Sequence, residues 1–231
     1  MKDAKNVMIV LAAGEGKRMG RPYPKMLIPL RGKPLLHWTL ANMERCAAVQ
    51  GVIVTVPGKW RKEFEKKVRF QDYRKVSAVV DGGKERTDST RNAMAALPET
   101  CEVVGIHDAA RPFVSGELTG RCFEAAKRKG AAILAVPATD TMKIASDELT
   151  IERTIPRARC WAAQTPQVFK RNIAEQLHQS SRSAAFTDDA SIAESLGYRV
   201  TIVPGSPDNI KVTTPKDLIA AESMLKKRKL K

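Results

Sequence analysis

Residues 11–25, LAAGEGKRMGRPYPK, combine small side chains with the cations Lys17, Arg18 and Lys25. Small residues let backbone N–H groups come close to an anion, and the cations can neutralise a triphosphate while a phosphorus atom is attacked. The glycines fit neither the G-x-G-x-x-G pattern of dinucleotide binding nor the G-x-x-x-x-G-K-[ST] pattern of a P-loop. The segment therefore predicts another kind of phosphate-binding loop, with a tight turn carrying solvated charges as the alternative.

A second segment, residues 81–90, has the sequence DGGKERTDST. Its glycine turn offers backbone N–H groups, and Ser89 lies near the predicted start of a helix, so both could hydrogen-bond the edge of a base. A turn followed by an ordinary helix cap has the same composition. Taken alone, the segment favours that simpler interpretation.

A third segment, residues 107–113, has the sequence HDAARPF and directly follows an apolar run. A carboxylate at the carboxyl end of a central strand, here Asp108, can hold a metal ion bound to phosphates, and the alanines after it leave room for a ligand. We interpret His107 as structural, because no second histidine or carboxylate stands at catalytic spacing nearby. The alternative for Asp108 is a surface ion pair with Arg111.

Lys211 lies in a strand-like segment just before a helix that begins at Thr214 and Pro215, where the alternative is a strand-edge lysine kept for solubility. The formal net charge of +15 is partly local, since residues 226–231 supply +5 and suit the end of a helix. The remaining +10 would attract either nucleic acid or a small polyphosphate. Charge alone does not separate these two classes of ligand.

The composition is that of a folded chain, with 43% hydrophobic residues spread evenly. No apolar run reaches the roughly 18 residues of a membrane span, and residues 1–6 lead into a strand rather than a signal peptide, so we expect a cytoplasmic protein without a membrane partner. The spacing of the four cysteines fits neither a zinc site nor a disulfide framework. Mostly buried, reduced thiols are the expectation.

Short apolar runs alternate with stretches of helical periodicity. The predicted strands are 7–11, 52–56, 76–80, 103–106, 131–136 and 199–203, and the predicted helices are 34–47, 60–68, 86–97, 115–129, 188–196 and 215–227. Because the apolar runs are continuous rather than alternating, the strands should be covered on both faces. The pattern predicts an α/β fold with a mostly parallel twisted sheet flanked by helices.

Residues 137–161 interrupt this alternation. They are polar and β-prone, with a plausible turn at Ser146-Asp147-Glu148, and therefore predict a hairpin inserted between core elements. No internal repeat or low-complexity linker is evident in the sequence. We accordingly expect residues 1–231 to form a single domain that carries a β-arm at about 137–161.

Seven motifs occur in order along the chain: LAAGxGxRMG…PK, DGGxER…S, HDAARP, DTMK, W…QTPQ, TDDAS and DNIKVT. Together they resemble the 2-C-methyl-D-erythritol 4-phosphate cytidylyltransferase family of the non-mevalonate isoprenoid pathway. The resemblance covers about residues 7–222. Seven motifs in the same order are specific for a family, whereas any single one of them would not be. It implies a Rossmann-like nucleotidyltransferase fold, Mg²⁺ or another divalent cation, a homodimer formed through the arm, and transfer of CMP from CTP to methylerythritol phosphate with release of pyrophosphate.

The resemblance also implies roles for individual residues. The CTP-binding residues would be Ala12, Ala13, Gly14, Gly16, Gly83, Ser89, Asp108 and Ala109. The catalytic residues would be Arg18, Lys25, Arg157 and Lys211, and Asp108 would also hold the metal. The second substrate would contact Arg111, Thr141, Thr165 and Thr187. Arg157 would reach from the arm across the homodimer to the partner's site.

The sequence departs from the family pattern at Met26, where glutamine is usual, and at Lys84, where aspartate is frequent. A related alternative is a cytidylyltransferase for ribitol 5-phosphate, which shares the loop and strand motifs; Thr141-Met142-Lys143 and the arm favour methylerythritol phosphate. An alternative from another class is a basic nucleic-acid-binding module. No RNA- or DNA-binding motif is recognisable and aromatics make up only 5% of the chain, so we expect no nucleic-acid partner.

Overall fold

Strands and helices alternate along the chain in this computed structural model, which describes residues 3–14, 16–180 and 186–229. The strands are β1 (Asn6–Leu11), β2 (Pro29–Leu30), β3 (Lys33–Pro34), β4 (Gly51–Val56), β5 (Val76–Asp81), β6 (Val103–Asp108), β7 (Ala131–Pro137), β8 (Lys143–Ala145), β9 (Ile151–Thr154), β10 (Trp161–Lys170) and β11 (Thr201–Pro204). The α-helices are α1 (Leu35–Arg45), α2 (Arg61–Val68), α3 (Arg86–Met94), α4 (Gly116–Lys129), α5 (Arg171–Ser180), α6 (Asp189–Ser195) and α7 (Pro215–Lys229).

Seven of these strands form one sheet in the order β11-β7-β10-β6-β1-β4-β5. Only β10 runs antiparallel to its neighbours, so the predicted mostly parallel sheet is confirmed. Strands β4 and β6 are buried along their whole length, which explains why their sequences are apolar at successive positions. Helices cover both faces and give two hydrophobic cores, one around Met8, Leu40, Phe64 and Phe123, the other around Ile9, Ala93, Leu177 and Ile192.

The centre of the sheet is also where the chain changes direction. From β1 the chain adds β4 and then β5 on one side, after which it crosses to β6 on the other side of β1. The strands end in step, since Leu11 lies opposite both Thr55 and Asp108. In open α/β sheets a crevice forms beyond the carboxyl ends of the strands at such a reversal.

The sequence analysis assigned no element to β10 or α5. Strand β10 was not predicted because it contains Pro166 and two glutamines, and polar residues argue against a buried strand. Gln167 is nevertheless buried, because its amide bonds the start of α6: Nε2 donates to Asp188 Oδ2 at 2.7 Å and Oε1 accepts from Ala190 N at 2.9 Å. The partners that make this glutamine acceptable lie about twenty residues further along the chain.

The predicted arm is present as the hairpin of β8 and β9, which lies between β7 and β10 in sequence and pairs with neither. The residues of the hairpin are largely exposed. At the other end of the chain, α7 extends to Lys229 and includes most of the predicted basic helix end; Leu230 and Lys231 lie outside the described residues. No helix within the described ranges has the length and apolar character needed to cross a bilayer.

Candidate functional site

A cleft of about 680 Å³ opens at the carboxyl ends of β1, β4, β5 and β6. The predicted site residues that line it are Ala12, Ala13, Gly14, Gly16, Lys25, Gly83, Ser89, Asp108 and Lys211. Three segments far apart in sequence therefore meet, because each follows a parallel strand and the carboxyl ends of these strands share one edge of the sheet. Residues 57–59, Met26, Lys84, Glu85 and Arg86 complete much of the lining.

The loop after β1 approaches the cleft through small residues. Gly16 has φ +71°, and a Cβ there would lie 2.8 Å from Lys25 Cβ, so both its backbone conformation and its packing call for glycine. Gly14 differs, because a Cβ built on it meets no atom within 4 Å. The space beside Gly14 is thus open to a ligand. Residue 15 and the side chain of Lys17 lie outside the described part of the chain.

The glycine turn after β5 is held in place from within. Ser89 Oγ accepts a hydrogen bond from Gly83 N at 3.1 Å and donates one to Glu85 O at 3.1 Å. A Cβ on Gly82 would lie 2.2 Å from Ala13 Cβ, so the turn packs directly on the β1 loop. Ser89 therefore fixes the turn that lines the cleft, which leaves the turn's backbone groups as the natural contacts for a base.

Asp108 is the carboxylate at the centre of the cleft. Lys211 Nζ lies 2.6 Å from Asp108 Oδ2, and Arg86 Nε lies 3.6 Å from Asp108 Oδ1. Burial alone would raise the pKa of Asp108, but the charges of Arg86 and Lys211 outweigh it and hold that pKa well below its usual range. The carboxylate is therefore ionised, and its ion-pair partners are Lys211 and Arg86 rather than the neighbouring Arg111.

Lys25 adds positive charge to the cleft, and Arg18, which is not among the described lining residues, lies close enough to Lys25 to affect its pKa. Lys25 Nζ donates to Val212 O at 3.2 Å, which ties it to the segment that carries Lys211. Burial, reinforced by the charge of Lys211, lowers the pKa of Lys25 to about 8, and the charge of Arg18 acts in the same direction. Arg18 itself is exposed. Five of the described residues that line the cleft are cations (Lys25, Lys59, Lys84, Arg86 and Lys211) and two are carboxylates (Glu85 and Asp108), a balance suited to an anionic ligand.

Lys211 occupies its place because its segment is tied down, although it lies in a loop rather than in the strand-like element that we expected. Val212 N donates to Ala110 O at 2.8 Å. Asp217 Oδ2 accepts from Thr213 N at 2.9 Å and from Thr214 N at 2.8 Å, which caps α7. These bonds set the position of the Lys211 backbone, so the lysine is part of the site and not a solubility device.

The residues present are compatible with a divalent cation held mainly by a substrate. No cluster of three histidine, cysteine, aspartate or glutamate side chains suited to a metal occurs within the described residues. Asp108, however, is an ionised carboxylate in a cation-rich cleft. Mg²⁺ is commonly bound by one or two carboxylates together with substrate phosphates, and this donor set fits that mode.

Behind Asp108 lies a buried group of polar residues that includes two predicted second-substrate residues. Thr165 Oγ1 accepts from Asp108 N at 3.0 Å and lies 3.0 Å from His107 Nδ1. His107 Nε2 lies 3.1 Å from Arg111 O. Burial lowers the pKa of His107 to about 4, so its ring is neutral. The partners of the His107 ring are a hydroxyl and a backbone carbonyl, neither of them a histidine or a carboxylate, which agrees with the interpretation of His107 as structural.

Arg111 and Ala109 also lie beside Asp108. Arg111 Nη1 donates to Asn209 O at 2.7 Å, and the buried Asn209 donates through Nδ2 to Thr165 O at 2.9 Å. Ala109 is fully buried and its carbonyl accepts from Thr39 Oγ1 at 2.7 Å. Both predicted residues therefore lie behind the lining of the cleft, as the buried Thr165 does, and none of the three is among the described residues that line it.

Three predicted residues lie elsewhere. Thr141 and Arg157 are exposed on the arm, where Arg157 Nη1 donates to Thr139 O at 3.1 Å. Thr187 is exposed just before α6. Among the described residues none of the three lines the cleft, so this chain by itself does not bring them together with Lys25 and Asp108.

Arg86 is a functional candidate that the sequence analysis left out. Its Nη1 lies 2.6 Å from the buried Asp189 Oδ2, and the same guanidinium faces Asp108. Burial opposes its charge, but Asp189 and Asp108 outweigh that effect and raise the pKa of Arg86. The signal was available, because Arg86 stands within the DGGxER motif and Asp189 within TDDAS. What the sequence did not reveal is that these two motifs touch.

Comparison with known proteins gives a consistent result. The family model for 2-C-methyl-D-erythritol 4-phosphate cytidylyltransferase matches residues 6–227. A protein of that name from Alkaliphilus oremlandii is 41% identical over 230 residues, covering 98% of this chain and 97% of the relative. Another of the same name, from Shouchella clausii, is 44% identical over 222 residues, covering 95% of this chain and 96% of the relative.

Solved structures agree with the sequence matches. A crystal structure of 4-diphosphocytidyl-2C-methyl-D-erythritol synthase from Anaerococcus prevotii superposes with a TM-score of 0.85 at 30% identity, covering 96% of both chains. A 2-C-methyl-D-erythritol 4-phosphate cytidylyltransferase from Thermus thermophilus gives a TM-score of 0.75 at 32% identity, covering 96% of this chain and 99% of that one. The similarity therefore extends over the whole fold, including the sheet edge that forms the cleft.

Proposed function

Because this chain belongs to the 2-C-methyl-D-erythritol 4-phosphate cytidylyltransferase family, we propose that the cleft at the sheet edge is where CMP is transferred from CTP to methylerythritol phosphate. The observation that carries the assignment is the convergence of Lys25, Lys211 and Asp108 on a cleft bordered by two glycine loops. That arrangement supplies positive charge where a triphosphate and a second phosphate must approach each other.

In this reaction an oxygen of the methylerythritol phosphate attacks the α-phosphorus of CTP. The new P–O bond forms as the bond from the α-phosphorus to the bridging oxygen of the β-phosphate breaks, and pyrophosphate leaves with that electron pair. The nucleophile is already an anion, so no general base is needed. The protein contributes alignment and charge neutralisation, as in phosphoryl transfer generally.

The residues of the cleft have different roles in this alignment and charge neutralisation. Ala12, Ala13, Gly14 and Gly16 present backbone to the triphosphate, and the turn around Gly83, fixed by Ser89, contacts the cytosine. Lys25, Lys211 and the exposed Arg18 neutralise the charge that builds up around the α-phosphorus. Arg111, Thr165 and Thr187 serve the second substrate.

Asp108 is the residue that would hold a divalent cation, shared with the phosphates of CTP. Bound there, the cation would neutralise phosphate charge and help orient the triphosphate. Lys211 Nζ sits on the same carboxylate at 2.6 Å and is free to turn towards phosphate oxygens when a cation takes its place. Asp108→Asn should therefore weaken both cation dependence and CTP binding.

The arm completes the site in a homodimer. Thr141 and Arg157 are exposed and lie apart from the cleft of their own chain, while the arm also exposes the apolar residues Met142, Leu149 and Ile151. A partner subunit would cover those side chains and receive Arg157 beside its second substrate. In this proposal residues 1–231 form one domain, and the arm extends from it.

The compartment in this proposal is the cytoplasm. All four cysteines are free, and Cys46, Cys101 and Cys122 are buried. Free thiols suit a reducing compartment.

The experiment that tests the function is a pyrophosphate-release assay with all four nucleoside triphosphates against a panel of polyol phosphates. We expect Mg²⁺-dependent release from CTP only when methylerythritol phosphate is present. Equal or faster release with ribitol 5-phosphate would overturn the substrate assignment. In the same assay Lys25→Met should lose most of the activity, whereas the charge-matched control Lys127→Met, which removes an exposed lysine on α4 paired with Glu124, should keep wild-type rates.

A further inference from the structure

His107 is the buried residue that the proposed mechanism does not use. It lies in β6, fully enclosed, between Thr165 on one side and the backbone carbonyl of Arg111 on the other. Asp108, the next residue, donates its backbone N–H to the same Thr165 hydroxyl. A single imidazole thus contacts, directly or through one hydroxyl, three residues placed in the site.

For a neutral, fully enclosed His107 ring, the two contacts define which groups donate and which accept. A carbonyl oxygen only accepts, so the 3.1 Å contact between His107 Nε2 and Arg111 O requires the proton on Nε2. A neutral ring then has a bare Nδ1, which must accept, and the Thr165 hydroxyl donates to it at 3.0 Å. Thr165 Oγ1 meanwhile accepts from Asp108 N at 3.0 Å.

One acceptor position remains after these bonds are counted. A threonine hydroxyl has one proton and two acceptor lone pairs. Its proton is committed to His107 and one lone pair to Asp108 N. Thr165 can therefore accept one further hydrogen bond and can donate none.

We propose that His107 is a positioning residue that fixes the hydrogen-bond polarity of Thr165, so that Thr165 Oγ1 meets the second substrate only as an acceptor. The matching group on the substrate is then a hydroxyl that donates. This step rests on the proposed function, because it takes Thr165 to face the second substrate. The arrangement of the histidine itself does not depend on that function.

The first test examines wild-type protein labelled with ¹⁵N-histidine by NMR between pH 7 and 8. The chain has three histidines, and the His107 signals are identified by their loss in His107→Gln. We expect a neutral ring with the proton on Nε2. A proton on Nδ1, or on both nitrogens, would overturn the proposal whether or not the protein has the proposed activity.

The second test uses two matched substitutions that each keep half of the imidazole's bonding. His107→Asn keeps an acceptor near the position of Nδ1, whereas His107→Gln keeps a donor near the position of Nε2. We expect His107→Gln to raise the KM for methylerythritol phosphate about tenfold and His107→Asn about threefold or less, with the KM for CTP changed less than about twofold in both. An asparagine variant no better than the glutamine variant contradicts the proposal.

The third test asks whether His107 acts through the hydroxyl. Thr165→Val removes it and Thr165→Ser retains it, so the serine variant should keep a near-wild-type KM. In the Thr165→Val background, adding His107→Gln should leave the KM for methylerythritol phosphate unchanged, because the group it orients is gone. Additive effects of the two substitutions would instead show a general packing role and overturn the proposal. Inactivity of wild-type protein towards methylerythritol phosphate would refute the proposed function and leave the NMR result to decide the tautomer.

Discussion

The cleft and the arm are built in opposite ways. In the cleft, the charged side chains around Asp108 have partners from other strands or loops: Lys211 and Arg86 face Asp108, and Arg86 also pairs with the buried Asp189. On the arm, the predicted functional residues Thr141 and Arg157 are exposed, and large apolar side chains beside them are exposed as well. The cleft is thus organised by the fold of one chain, whereas the arm leaves these side chains exposed, and in the proposed homodimer a partner subunit covers them.

This difference predicts how the two regions respond to substitution. Changes in the cleft should alter stability and activity together, since its charges are held close to one another in a partly buried place. Changes on the arm should alter activity and association while leaving the fold of the subunit intact. Substitutions that violate this division would show that the comparison is wrong.

The largest effect is expected for Lys25→Met. Removing this cation should lower kcat by about 10²–10³-fold, because a preorganised charge at the α-phosphorus is lost, with a smaller change in the KM for CTP. The same change should stabilise the ligand-free protein by about 1–3 kcal/mol, because the wild-type fold contains a partly buried lysine whose pKa is lowered to about 8 and the variant does not. Steady-state kinetics and thermal unfolding measure the two effects.

The pH dependence of that stabilisation has a definite sign. The folded state lowers the pKa of Lys25, so it disfavours the charged lysine relative to the unfolded chain. The penalty is fully present below pH 8 and disappears as the pH rises towards the ordinary lysine pKa near 10.5. The stability difference between Lys25→Met and wild type should shrink over this range. A constant difference, or unchanged kcat, would remove Lys25 from the role proposed for it.

A loss of about 10²-fold in kcat/KM for methylerythritol phosphate is expected for Arg157→Ala, with an unchanged melting temperature because the side chain is exposed. The site of action can be located by mixing Arg157→Ala with Lys211→Ala subunits. If Arg157 serves the partner's cleft, each mixed dimer has one intact site, and random exchange restores about a quarter of wild-type activity. Absence of recovery after verified subunit exchange would place Arg157 in its own subunit or outside the mechanism.

The sheet was predictable because its determinants are local. Continuous apolar runs such as residues 52–56 and 103–106 are typical of strands buried on both faces, and both became core strands. Strand β10 was not predictable in this way, because Gln167 is satisfied by the cap of α6. Helix α5 did carry a local signal, with Ile173, Ala174 and Leu177 buried at helical spacing, but no cap or turn residue separates it from β10.

The site was predictable to the extent that it depends on strand ends. Loops that follow neighbouring parallel strands must meet, and this brought together the segments after β1, β5 and β6. The contacts that set its electrostatics join residues about a hundred positions apart, such as Lys211 with Asp108 and Arg86 with Asp189. Sequence spacing carries no information about such pairs, and for that reason Arg86 was overlooked and Asp108 was assigned Arg111 as its alternative partner.

An intermediate effect is expected for Gly14→Ala. A methyl group at this position meets no protein atom, so the melting temperature should not fall, yet the methyl group would occupy space offered to the triphosphate. We expect the KM for CTP to rise about tenfold, which corresponds to about 1.4 kcal/mol. Gly120→Ala in α4 is the matched control, because its Cβ makes only an ordinary contact and should stabilise the helix without altering kinetics. An unaltered KM in Gly14→Ala would mean that the ligand does not approach this loop.

The smallest effect concerns Leu149 at the tip of the arm. It has φ +60° and is 87% exposed, a combination unfavourable for leucine by about 1 kcal/mol or more, which asparagine tolerates better. In an isolated subunit Leu149→Asn should therefore be neutral or slightly stabilising. If a partner covers the leucine, the same change should raise the dimer dissociation constant by about threefold to tenfold, since burial of the side chain is lost. Ile219→Asn, which alters an exposed isoleucine on α7, is the control for a general surface effect. Sedimentation equilibrium over a concentration series measures the dissociation constants. A dissociation constant raised by Leu149→Asn but not by Ile219→Asn supports the arm as the dimer contact. Equal dissociation constants for both variants and wild type would mean that the arm's exposed apolar residues are not covered by a second subunit.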